Sequence, residues 1–292
     1  MKIFFSTIFI FTFFNANAQT QAQWAQTVNW DGVSHWSKYI RVRAAYLGPN
    51  GLAVPLLANG SIDSSRSLAI TGQFHFSPGD KTQSIMLYGN YCLVKHVIAF
   101  DVSYIPAEYY TMSDTLKRER HVYYKYYNDK VAHGDVIVNT TIQLFKKWRK
   151  NIELALRASY RLPSSSGFGA ARFFDGMGYH FDISMAKPFH AIPLKWIAMA
   201  GFYCWQIEQE DFRQDDAFLF GTGFEWYPDS WKFQTYVAGY LGYLEHSGDK
   251  PIVFRTTAEK RMKQASLLLR FQQGLHDFKY STVEFGGKYY FK

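Results

Sequence analysis

The chain has 292 residues, 48% hydrophobic, 19% aromatic and 19% charged, with a formal net charge of +8. So many large apolar groups exclude a disordered chain. The absence of long apolar runs beyond the first stretch excludes a polytopic helical membrane protein, and leaves a β-rich domain or a transmembrane barrel, where alternation spreads the apolar residues.

Residues 1–18 read as a cleaved secretory signal: Lys2, then the apolar core Ile3–Phe14, then the small exit Asn15-Ala16-Asn17-Ala18. Asn15 and Asn17 stop the run short of the ~20 residues that a membrane span needs. A secreted basic chain is expected to meet anionic lipid headgroups or acidic solutes, and no nucleic acid. Cys92 and Cys204 are the only cysteines. They are expected at opposite ends of their strands, too far apart to bond.

Residues 19–65 read as a periplasmic segment or a lumen-entering plug. Gly48-Pro49-Asn50-Gly51, Pro55 and Asn59-Gly60 interrupt regular structure there. Tyr39–Leu47 is compatible with a further strand, which makes 14 the alternative strand count.

Residues 66–292 form the predicted barrel. In Asn151–Arg161, Ile152, Leu154, Leu156, Ala158 and Tyr160 oppose Asn151, Glu153, Arg157, Ser159 and Arg161. In Trp231–Leu244, Trp231, Phe233, Val237, Leu241 and Tyr243 oppose Lys232, Gln234, Tyr236 and Tyr240. The pattern predicts an all-β, antiparallel barrel of about 12 strands of bilayer-spanning length. They lie near Arg66–Phe76, Gln83–Cys92, Lys95–Tyr104, Gly134–Phe145, Asn151–Arg161, Met177–Lys187, Leu194–Gln206, Asp216–Trp226, Trp231–Leu244, Pro251–Glu259, Lys263–Gln272 and Phe278–Phe291. Short and longer connections alternate, which assigns the short ones to the periplasm and ends the last strand there, beside the N-terminus. Trp148, Trp196, Trp205, Trp226, Tyr227 and Trp231 sit at strand ends, as interface girdles require.

Charges facing lipid near the midplane cost ~2–4 kcal/mol, so the polar faces are expected to line the interior. The lumen set is Asp101, Asn139, Gln143, Glu153, Arg157, Arg161 and Lys232, joined by Asp182, Glu225, Gln234, Arg255, Glu259 and Arg270. Glu153, Arg157 and Arg161 stack along one strand and are the predicted constriction. In the long connection Ile105–His133, Arg118 and Arg120 beside Tyr124 and Tyr127 are candidates for gripping lipopolysaccharide or a glycan.

Three resemblances accompany these residues. Tyr289-Tyr290-Phe291 resembles the terminal aromatic signature read by the barrel insertion machinery, with Lys292 following the usual final Phe. His75-Phe76-Ser77 has the His-x-Ser spacing of outer-membrane phospholipases, but Pro78-Gly79 departs from their continuation. His180, Asp182 and Ser184 share one face as a second catalytic candidate. Gly134-Asp135 with Arg161-Leu162-Pro163-Ser164-Ser165-Ser166-Gly167 resembles predicted uptake channels for aromatic and fatty hydrocarbons, of the phenol-degradation-pathway type.

The expectation is a bacterial outer-membrane barrel for passive or gated passage of a small solute, without cofactor, metal or catalysis. The alternatives are a structural or surface-binding barrel that meets lipopolysaccharide, glycan or protein, and a lipid-modifying enzyme.

Overall fold

The computed structural model describes residues 19–148, 151–189, 191–207, 213–244 and 247–291. The predicted signal lies outside them. The strands are β1 (Arg66–Ser77), β2 (Asp80–Val94), β3 (Ile98–Met112), β4 (Val131–Ala132), β5 (Val136–Trp148), β6 (Ile152–Leu162), β7 (Gly178–Pro188), β8 (Leu194–Gln206), β9 (Gln214–Trp226), β10 (Trp231–Gly242), β11 (Ile252–Arg261), β12 (Ala265–His276) and β13 (Ser281–Phe291). Twelve of them close a barrel; the two-residue β4 only edges β3. Closure is made by β1, which pairs antiparallel with β2 on one side and β13 on the other.

Period two sets the two faces. Leu68, Ile70, Ile183, Phe224, Leu267 and Phe285 point outward, each half exposed or more, as a lipid-facing belt demands. Their neighbours Gln73, His75, Asp182, Glu225 and Glu284 are buried inside. Strands of 10 to 15 residues, tilted, match an apolar layer ~25 Å tall. Trp226 and Trp231 flank Phe233 in a stack at the rim, with centroids at 5.2 and 5.5 Å. Trp196 lies on the same face. Tyr289 and Phe291 are exposed on the last strand, while Tyr290 turns inward to Glu259 at 3.0 Å.

Connections at one end are short, at residues 95–97, 149–151, 189–193, 227–230 and 262–264; those at 113–130 and 163–177, at the other end, are long. Cys92 and Cys204 lie towards opposite ends, buried and unbonded.

Several expectations are corrected. Residues 39–47 hold no strand, so the count of 14 fails. The strand predicted to stop at Tyr104 continues to Met112 through a register shift near Pro106, which shortens the following loop. Trp205 is not a girdle residue: it is fully buried against Tyr203 and Tyr240, with centroids at 5.2 and 5.4 Å. The side chain of Trp148 lies outside the described part.

Residues 19–65 start at the long-loop end and then enter the lumen, where the later part forms a plug. Helix α1 (Gln21–Val28), with a Thr20/Gln23 capping box, packs at the long-loop end, where the Trp24 indole donates to the His121 carbonyl. The chain then runs down the lumen to β1 at the short-turn end. Leu47, Leu52, Val54 and Leu57 bury themselves against Ile197, Met199, Leu219, Tyr236, Ala238, Tyr240 and Val253 of β8–β11. An inner wall expected to be hydrophilic throughout is therefore apolar on one side.

Candidate functional site

The plug has no strand partner, so its carbonyls need donors from the wall. Arg161 donates to the Gly51 carbonyl. The Tyr240 hydroxyl reaches Leu52 O at 2.9 Å. Arg255 reaches Val54 O at 2.6 Å and Pro55 O at 2.9 Å. Arg157 reaches Leu56 O at 2.9 Å. Carboxylates fix three of the arginines of the wall: Asp182 holds Arg157 at 2.7 Å, Asp135 holds Arg161 at 3.3 Å and Glu284 holds Arg270 at 2.8 Å.

The mouth at the long-loop end is closed by a separate set of side chains. The loop at 163–177 folds inward and buries Ala170, Ala171, Arg172 and Phe173. Arg172 bonds Asp80 at 2.6 Å and Glu108 at 2.8 Å, while Arg120 bonds Asp80 at 2.9 Å, all four side chains fully buried. Thr82 accepts from Arg172 at 2.7 Å, and Tyr280 donates to Asp80 at 2.5 Å. Burial pushes the Tyr280 hydroxyl up in pKa, so it stays a donor. The plug completes this cluster: Asn50 donates to Glu108 at 2.9 Å, and a Cβ on Gly48 or Gly51 would strike Arg172 within 3 Å. Nearby, burial lowers the pKa of His121, whose Nδ1 lies 2.9 Å from Tyr39 O.

At the short-turn end Gln143 donates to Gly60 O at 2.8 Å, and Asn59 donates to Glu225 at 3.1 Å. Glycine is required at position 60 because φ is positive there and a Cβ would meet Ala186 N at 2.6 Å. Lys288 holds Asp63 at 2.7 Å. Partial burial raises the Asp63 pKa, but Lys288 and the Ser65 hydroxyl and N–H outweigh it and hold the carboxyl down at about 2.

The plug leaves the opposite half of the lumen unfilled. A cavity of about 270 Å³ lies between Pro49–Leu56 and the polar wall, including Gln73, His75, Asn139, Ser159 and Thr282. A second, of about 840 Å³, lies towards the short turns, with Asp63, Asn90, Lys232, Glu259 and Lys288 on its walls. Tyr88, Asp101 and Arg157 line both. A carboxylate and a guanidinium thus stand on the wall that the two spaces share.

The predicted site residues divide accordingly. Arg157 and Asp101 are at the junction, and Asn139 holds Asp101 at 2.6 Å. Arg161 lines the upper cavity. Glu153 lies nearer the short turns, paired with Lys195 at 2.9 Å, and Lys232 pairs with Glu259 at 3.3 Å. Gln143 is a plug anchor. In the outer loop, Arg118 is exposed and Tyr124 half-buried. Arg120 and Tyr127 are buried, so neither is a surface grip: Arg120 belongs to the ion cluster, and Lys117 covers the Tyr127 ring at 4.1 Å. Asp80, Glu108, Arg172 and Asn50 escaped the sequence reading. The one available signal was Pro78-Gly79-Asp80, a tight turn that ends in an acid.

Neither catalytic candidate assembles. His75 lies between Thr282 Oγ1 at 2.8 Å and Ser84 Oγ at 3.4 Å, and Ser84 donates to Gln73. His180 stands 3.7 Å from Asp182, which Arg157 occupies. Ser184 turns to Ala155 O. The hydrocarbon-channel segments do meet: Asp135 accepts from the Ser164 and Ser165 N–H groups at 3.1 and 2.9 Å.

A closed barrel with a polar and a plugged half, wrapped in an apolar belt, has relatives in structure. An outer membrane channel from Pseudomonas putida F1 superposes with a TM-score of 0.59 at 9% identity, covering 82% of this chain and 100% of that one. The fold is that of an outer-membrane β-barrel. The KdgM porin, solved in complex with disordered oligogalacturonate, gives a TM-score of 0.50 at 8% identity over 77% of this chain and 99% of its own. No family model and no curated protein matches the sequence, so the hydrocarbon-channel resemblance has no family match behind it.

Proposed function

We propose that the protein sits in the bacterial outer membrane and passes small solutes through the polar half of its lumen, gated at the outer mouth. The observation that carries this reading is the pair of cavities beside the plug that share Tyr88, Asp101 and Arg157. Asp101 and the Arg157–Asp182 pair give this shared wall fixed charges of both signs, which favour a dipolar or zwitterionic solute there. The ion cluster of Asp80, Glu108, Arg120 and Arg172 binds both long loops to the barrel and is the proposed closure. The fold shared with a channel and a porin supports the same reading.

Planar bilayers test it. The purified protein is expected to show discrete conductance steps, with Asp101→Asn shifting ion selectivity towards anions and Arg157→Gln towards cations. Steps that are absent, or selectivity that ignores both changes, would overturn it.

A further inference from the structure

The plug has a direction. Its contacts, followed backwards from β1, climb the barrel in order. Asp63 meets Lys288 and Gly60 meets Gln143 at the short-turn end. Leu56, Val54 and Gly51 meet Arg157, Arg255 and Arg161 midway. Asn50 meets Glu108 under the loop at 163–177. Ala45 N–H then donates to Gly248 O at 3.0 Å, and Trp36 stacks on Tyr123 at 4.9 Å, both beyond the barrel's long-loop rim. The stretch from residue 47 to 63 is ample for this crossing, since an extended chain gains ~3.3 Å per residue against a belt ~25 Å tall.

Short turns face the periplasm and long loops the cell exterior. We infer that residues 19–39 are displayed outside the cell, and that the barrel carries this part of its own chain across the outer membrane. The inference rests on the outer-membrane reading above. A secreted chain reaches this membrane from the periplasm, so residues 19–39 must cross it while β1 still starts at the inner rim. The finished barrel has no free edge for a segment to slip through sideways, because every long strand pairs on both sides. The crossing therefore takes place along the lumen or before β1 and β13 join. The mouth is fitted to the arriving segment: the loop residue Tyr123 meets Trp24 edge-on and Trp36 face-on, each at 4.9 Å.

Single cysteines on the full-length protein test the direction, with Cys92 and Cys204 changed to Ala in the parent. Val33 is 90% exposed in the outer segment, and Asp229 is exposed in a short turn. A membrane-impermeant maleimide applied to intact cells is expected to label Val33→Cys and to miss Asp229→Cys, which becomes reactive only after permeabilisation. Val33→Cys that is silent until permeabilisation overturns the inference, as does the reverse pattern. Equal labelling of both in intact cells overturns it together with the outer-membrane reading. A heat-dependent gel shift of the same samples separates these cases, because a folded barrel protected from outside still shows it.

Discussion

The two halves of the lumen are built from the same alternating strands and do opposite things. Along the middle of β8–β11 the inward positions include Ile197, Met199, Ala217, Leu219, Gly221, Ala238 and Val253, and the plug packs against them. Along β1–β3, β6, β12 and β13 they are Gln73, His75, Ser84, Asp101, Arg157, Arg270 and Glu284, and space remains. Small apolar residues on the inner face make a seat; long polar ones make a hydrated wall. The difference separates what holds the plug from what can pass beside it.

The contrast is broken most severely at the outer mouth. Arg172→Ala leaves the buried Glu108 without a cation and Asp80 with Arg120 alone; removing one partner of a buried pair costs about 3–5 kcal/mol. The expected result is a heat-dependent gel shift at clearly lower temperature and a higher open probability in bilayers. Next comes the seat itself. Leu52→Ala, at a side chain 1% exposed, is expected to lose about 2–5 kcal/mol in urea unfolding from detergent or lipid, while Ser103→Ala on the cavity wall changes stability little. If the two cost the same, the halves are not different in kind. Overfilling the seat is milder. A Cβ on Gly221 would stand 3.1 Å from Leu57 Cδ1 and 3.1 Å from Ala238 Cβ, so Gly221→Ala is expected to cost about 1–3 kcal/mol. The smallest effect is acid release of the lower tether. The Asp63 carboxyl has a lowered pKa in the folded protein, so its pairing with Lys288 is present at neutral pH and lost as pH falls towards about 2. Asp63→Asn is expected to flatten the acid limb of the stability profile slightly, because the pair is partly solvated.

The barrel was legible because lipid imposes a rule on every second residue, and Asn151–Arg161 obeys it without exception. The plug's seat was less legible. In β9, Phe218, Phe220 and Phe224 face out while Ala217, Leu219 and Gly221 face in, so both faces read as apolar and hydropathy alone gives no direction. The mouth was least legible, since Arg120 looks like any solvated loop arginine until Asp80, some 40 positions earlier, is seen beneath it. Arg157 was identified because charge inside a membrane must face inward. Its further bond to the Leu56 carbonyl depends on a segment without periodicity of its own.

The wall holds residues 51–56 by their main-chain oxygens. Such a grip is blind to the side chains of Ala53 and Leu56, whereas Gly51, Leu52 and Val54 are read by their fit. Exchanging Ala53 or Leu56 for another uncharged residue leaves each clamp its acceptor. The lumen thus grips its occupant twice over, by main-chain oxygens on the polar side and by side-chain shape on the apolar side.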